Sequence, residues 1–316
     1  MQSRSESKVN PVELGASGSP FFEASRLTGL ESMRFSTQRR VEGSYSGRHV
    51  AKQRGGAGEF VDYREYSPGD DLRRLDWKAM GRTGRSYLKL YQDETDLRCT
   101  LFLDASGSMM QGAHRNSHGR SKVAWMQYFA TAFSHLLLLG RDSAGLAIIN
   151  EQSFDYLAPV ASFQQRGLLH QKIASLNAQG GTDLAHGFDQ LLLQAKKRGV
   201  IVVLSDFLVS SLDATLSGVR KLRSRGWEVI TIHLVHPDEE RLPQGNAFRF
   251  EGLENDGVVD CHVHEIRVAY EERFQSHLRE TRAALQSVGC DYHLVRTNTD
   301  YLEVLRDFLV LRSAAT

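Results

Sequence analysis

Cysteine is scarce in this 316-residue chain: Cys99, Cys261 and Cys290 are widely separated and odd in number. No disulfide framework follows from three such residues, and a reducing compartment suits them better. Long apolar runs are lacking too. The run Leu136–Leu139 stops at Gly140, far short of the roughly 20 residues that a bilayer span needs. The first twenty residues are polar and rich in Ser and Gly, with no apolar stretch of the secretory kind. Excess charge of one sign is also absent. Thirty-nine Lys and Arg balance 38 Asp and Glu for a formal net charge of +1, which gives no whole-protein case for nucleic acid or an anionic membrane. These absences set the expectation of a soluble cytoplasmic protein that neither binds nucleic acid nor inserts into a membrane.

What is present is an ordinary core-forming composition, 41% hydrophobic and 24% charged, without a solenoid-type repeat. Residues 1–19 read as a flexible tail. Residues 20–97 read as an N-terminal extension, beginning with a short helix over Pro20–Leu30. Between Arg34 and Arg54 of that extension, six basic residues (Arg34, Arg39, Arg40, Arg48, Lys52, Arg54) stand against one acid, Glu42. Such a segment is a solvated or internally paired face, with a contact surface as the alternative. A turn is expected at Ser67–Asp70 and a strand over Ser86–Tyr91.

From residue 98 to 316 the pattern becomes regular. Apolar runs at Cys99–Leu103, Ser143–Asn150, Gly199–Leu204, Glu228–Val235 and Tyr292–Arg296 read as strands, with Ser153–Pro159 as a hairpin partner. Lys122–Leu139, Leu168–Leu176, Leu184–Lys197, Leu212–Arg225, Tyr270–Val288 and Asp300–Leu311 read as helices. Continuous apolar strands alternating with helices predict an α/β fold, a mostly parallel sheet covered on both faces. Ligands of such sheets bind beyond the carboxyl ends of the strands.

Three polar groups fall at that edge. The first strand ends in Asp104-Ala105-Ser106-Gly107-Ser108, an acid followed by two hydroxyls at alternate positions. An oxygen-only donor set suits a hard cation such as Mg²⁺. Alone the string is a common turn sequence. Thr182, in Gly180-Gly181-Thr182-Asp183 before a helix, and Asp206, at the end of the strand Gly199–Leu204, extend it.

Together Asp104, Ser106, Ser108, Thr182 and Asp206 resemble the metal-ion-dependent adhesion site of the von Willebrand factor A fold, and the chain from about Leu97 onward resembles that fold. The resemblance implies Mg²⁺, with Mn²⁺ as a substitute. It implies direct ligation by the three hydroxyls, with the two carboxylates acting through waters or as charge partners, and a partner protein completing the shell with its own carboxylate. A second signature runs from Tyr63 to Trp77, with Ala79, Arg82 and the strand up to Glu94. It resembles domain of unknown function 58, a family that joins this block to a von Willebrand A-like domain. For that family a chaperone-like or assembly role beside MoxR-type AAA+ ATPases has been inferred. The implied function is a non-enzymatic Mg²⁺-dependent protein-binding module.

The interleaved Arg64, Arg73, Arg74, Arg82, Arg85 and Glu65, Asp70, Asp71, Asp76 are expected to pair and pin the block in place, with Trp77 as an apolar anchor. The alternative to a binding module is a metal-dependent, phosphatase-like hydrolase. Such enzymes place a second acid two residues after the first, where Ser106 stands, and no carboxylate or His follows closely as base. Gly55-Gly56-Ala57-Gly58 lacks the Lys-Ser/Thr of a phosphate loop. Cys261-His262-Val263-His264 is read as a surface strand rather than a zinc site. His233 and His236 are read as structural or capping residues.

Overall fold

The computed structural model describes residues 19–37, 59–66, 75–83, 85–92, 97–113, 119–245, 247–254 and 257–314. The chain divides into two compact units, Arg40–Asp96 and the remainder. Their elements in chain order are α1 (Ala24–Leu27), β1 (Glu59–Glu65), α2 (Trp77–Thr83), β2 (Tyr87–Gln92), β3 (Arg98–Asp104) and α3 (Lys122–Leu139). They continue with β4 (Ser143–Asn150), β5 (Ser153–Val160), α4 (Phe163–Ala174), α5 (Leu184–Gln194), β6 (Val200–Ser205) and α6 (Leu212–Ser224). The last are β7 (Glu228–Val235), α7 (Pro237–Glu240), β8 (Ala247–Glu251), β9 (Val258–His262), α8 (Val263–Ser287), β10 (Asp291–Arg296) and α9 (Tyr301–Ala314).

In the smaller unit β1 and β2 pair antiparallel, Glu65 opposite Tyr87. Asp76 caps α2 by accepting a hydrogen bond from the Ala79 N–H (3.0 Å), as a short acidic side chain does at a helix start. The strand expected over Ser86–Tyr91 is β2. Trp77, the first residue of α2, is 63% exposed. The turn at Ser67–Asp70, the Gly55–Gly58 run and most of the basic segment lie outside the described residues, as does nearly all of the tail expected over residues 1–19. Within that segment Arg34 donates to the carbonyls of Glu31 and Met33.

In the larger unit six strands form one sheet in the order β10-β7-β6-β3-β4-β5, all parallel except β5. This is the mostly parallel, helix-flanked sheet that the sequence predicts. Every residue of β6 and β7 is buried, as continuous apolar strands require when helices cover both faces. Alternation splits β3 between two cores: Cys99, Leu101 and Leu103 join α3, α4 and α9, whereas Phe102 joins α5 and α6 on the opposite face.

Residues 19–37 belong to this larger unit, so its first segment and its helices are separated in sequence by the smaller unit. Phe22, Leu27, Leu30 and Phe35 enter the core beside α3 and α9. Of the helix expected over Pro20–Leu30 only the single turn α1 forms. Cys261 and His262 end β9, but Val263 already starts α8, so His264 lies in a helical first turn rather than on a strand. No described helix is long and apolar enough to cross a membrane.

His170 on α4 is buried, its ring 5.0 Å from that of Phe22 and 6.4 Å from that of His135. Burial pushes its pKa down to about 4, with His135 and Arg166 adding to the shift. Between about pH 6.5 and 4 the unfolded chain therefore binds the proton and the folded chain does not, so stability falls as pH falls. The expected loss from this group is about 2–4 kcal/mol at 1.36 kcal/mol per pKa unit. Urea titrations across that range should show a weaker pH dependence in His170→Leu; an unchanged slope contradicts the assignment.

Candidate metal site

The strand-end edge is built by backbone bonds between loops far apart in sequence. After β3 the Ala105 N–H donates to the Ile149 carbonyl (2.7 Å), the Gln179 N–H to Ala105 O (2.9 Å) and the Gly107 N–H to Gly180 O (2.7 Å). The Glu151 N–H donates to Gly181 O (2.8 Å). The loop after β3 and the Gly-Gly-Thr loop are thus stitched together. Thr182 is held just before Asp183, whose side chain caps α5 by accepting the His186 N–H (2.9 Å). Gly107 is required by close approach: a Cβ there would lie 2.1 Å from the Leu253 carbonyl oxygen.

Asp104 is completely buried. Its Oδ1 accepts the Ser106 N–H (3.0 Å) and its Oδ2 accepts the Ser205 O–H (2.6 Å). Ser106 Oγ and Ser108 Oγ lie 3.1 Å apart and form a hydrogen bond. Asp206, 3% exposed, accepts the Leu208 N–H at Oδ1 (3.1 Å). That turn forces Phe207 to a φ of +53°, rare for a bulky residue. Phe207 is held there by burial and by its N–H bond to Ser205 Oγ (2.9 Å).

A residue not singled out from sequence completes the cluster. Lys122 opens α3, and its ammonium is wholly buried between Asp206 Oδ2 (2.6 Å) and Glu239 Oε1 (2.5 Å). Glu239 in turn accepts the His236 N–H at its other oxygen (2.7 Å). Burial alone would lower the Lys122 pKa, but the charges of Asp206 and Glu239 outweigh it and raise it. Burial alone would raise Asp206, but Lys122 holds its carboxyl below the ordinary range. Asp104 has no such cation: burial, and then the Asp206 charge, push it up to about 6.

These residues fit a hard divalent cation. Asp206 and Glu239 share the Lys122 ammonium and Asp104 has no cation beside it, so with all four groups ionised two negative charges are uncompensated. Two hydroxyls converge, and the buried Thr182 hydroxyl has no hydrogen-bond partner among the described residues, a state that costs about 1–3 kcal/mol unless something fills it. Among the described residues no group of three His, Cys, Asp or Glu side chains is placed to hold a metal, at Cys261 or elsewhere. His233 bonds the Tyr292 hydroxyl through Nδ1 (2.8 Å), and His236 caps α7 by accepting the Asp238 N–H. Both are structural, as expected.

Sequence reasoning did not single out Lys122, Glu239 or Glu254. Glu239 was accessible to it, since Pro237–Glu240 directly follows the carboxyl end of β7. Lys122 leaves no comparable signal, being one cation at the start of an apolar helix. Removing that cation leaves Asp206 and Glu239 without compensation. Lys122→Met is expected to lose about 3–5 kcal/mol in metal-free urea unfolding at neutral pH. In that variant a proton must replace the ammonium, so the folded carboxyl pKa rises above its unfolded value. The loss then shrinks as pH falls toward the ordinary carboxylate range; a loss independent of pH contradicts the triad.

The model of the family described as protein of unknown function DUF58 matches residues 62–281. An uncharacterized protein of Mycobacterium tuberculosis, Rv1480, is 24% identical over 289 residues, 90% of this chain and 88% of the relative. Among solved structures, the conserved hypothetical protein BatB from Bacteroides thetaiotaomicron aligns with a TM-score of 0.47 and 12% identity, covering 69% of this chain and 99% of that one. The SpRpn10 VWA domain aligns with a TM-score of 0.40 and 13% identity over 67% of this chain and 95% of its own. The family model spans well over half of the sequence, and this chain belongs to the DUF58 family.

Proposed function

We propose that this chain is a non-enzymatic, Mg²⁺-dependent protein-binding module of the cytoplasm, an adaptor for a MoxR-type AAA+ ATPase in the assembly of protein complexes. The observation behind this reading is the buried Thr182 hydroxyl without a partner, on a loop stitched to the one that brings Ser106 and Ser108 together. Ser106, Ser108 and Thr182 would hold the cation directly through neutral oxygens. Asp104 and Asp206 would act through waters and through their charge, because their oxygens already accept protein donors. Bound there, Mg²⁺ (or Mn²⁺) supplies an electrophilic point that takes a carboxylate oxygen from a partner.

Hydrolysis is less favoured by the same geometry. Asp206 is clamped by Lys122 and Asp104 is enclosed by Ser106 and Ser205, which leaves neither carboxylate free to activate water as a general base. The partner to try first is the AAA+ ATPase that the family resemblance implies.

Two measurements test the proposal. At a Mg²⁺ concentration a hundredfold above its Kd, stability should rise by about 2.7 kcal/mol, and Thr182→Val and Asp104→Ala should lose that gain. Capture of a MoxR-type ATPase should require Mg²⁺ and fail with EDTA or with Asp104→Ala. Equal capture under all three conditions rules the proposal out.

A further inference from the structure

The hairpin β8–β9 is joined to the candidate site by its tip. Glu254 Oε1 accepts the backbone N–H of Ser108 (3.2 Å), and the Leu253 carbonyl packs so closely on Gly107 that no side chain could stand there. A cleft of about 540 Å³ opens beside this contact, lined by Ser108, Glu239 and Leu208 on one side and by Leu253 and Glu254 on the other. The hairpin therefore forms one wall of the approach to the site.

We propose that Glu254 is an internal stand-in for the partner's carboxylate: the β8–β9 hairpin holds it at the mouth of the metal site, and a partner binds by displacing the hairpin tip. The inference rests on the metal-dependent reading above. Electrostatics supports it. The site already has two negative charges in excess, and a further acid brought against it is repelled in the metal-free state. The Ser108 N–H holds one carboxylate oxygen of Glu254 there, and a cation between the groups would offset the remaining repulsion. Neutral hydroxyl ligands leave such a cation with most of its charge, which a carboxylate is suited to meet.

The hairpin is also built to move. Among the described residues its strands pair only with each other, in a two-stranded sheet separate from the main one. Isolated two-stranded hairpins are marginal in water. Val258 and Val259 are 49% and 60% exposed, so little apolar burial fixes β9 in place. Segments with few buried contacts open at low free-energy cost.

The test uses the full chain as wild type, Glu254→Ala, Glu254→Gln and, as control, Glu265→Gln on the exposed first turn of α8. The probes are Mn²⁺ alone, followed by water-proton relaxation, and then acetate as a free carboxylate. Glu254→Ala and Glu254→Gln should bind Mn²⁺ about tenfold more weakly and expose more exchanging water on the bound ion. Acetate should lower that relaxivity in the two variants and leave wild type and control unchanged. Equal Mn²⁺ affinity and equal relaxivity in all four proteins overturn the role of Glu254 and leave the metal-dependent reading standing. Absence of Mn²⁺ binding in wild type and control overturns that reading, and this inference with it.

Discussion

The buried ammonium of Lys122 is the interaction on which the site edge depends. It ties the start of α3 to the end of β6 and to α7, and its side chain is fully shielded from bulk solvent. Breaking such a pair exposes the remaining carboxylates to the full cost of desolvation. Lys122 compensates one acid of the cluster and is itself shared with another. The imbalance is therefore fixed by the fold: Asp206 is held ionised, Asp104 is pushed toward protonation, and the Thr182 hydroxyl has no hydrogen-bond partner among the described residues. The negative charge of this edge results from incomplete internal neutralisation.

The sheet and its helices were legible because their cause is local. A fully buried strand needs an unbroken apolar run, and β6 and β7 show one. The bounds of α3 and β4 match the expected ones because Ser121 and Gly140 punctuate the helix and the polar Asp142 precedes the strand. The rule that ligands gather at strand carboxyl ends singled out Asp104, Ser106, Ser108, Thr182 and Asp206 as candidates; the structure joins the loops that bear Ser106, Ser108 and Thr182 and links Asp104 to Ser205 beside Asp206. Residues whose meaning depends on distant partners were not legible. Glu254 meets Ser108 across 146 positions, and nothing in its neighbours announces that. Trp77 is a case of the opposite kind, a residue type usually buried that the fold leaves exposed. His264 was misplaced because a strand and a helical first turn look alike over two residues.

The glycine at 107 joins these themes. It allows two things at once, a backbone bond from its N–H to Gly180 and the approach of the Leu253 carbonyl. A residue that looks like mere slack in a turn is the point where three loops meet.

The packing of residues 19–37 against α9 has a kinetic consequence. Arg312 donates to the Ser36 carbonyl (3.1 Å) and lies over the Phe35 ring, while pairing with Glu228 and Asp291. Tyr301 donates to Glu23 (2.5 Å), and Phe35 stacks on Phe308. These contacts close loops of more than 270 residues, and loop entropy must be met before such contacts stabilise anything. The core beside α3 is thus completed only once α9 has been synthesised. A nascent chain could form the strands from β3 to β7 and lay Phe22 against His135 and His170, while Glu23, Phe35 and Ser36 waited for their partners on the last helix.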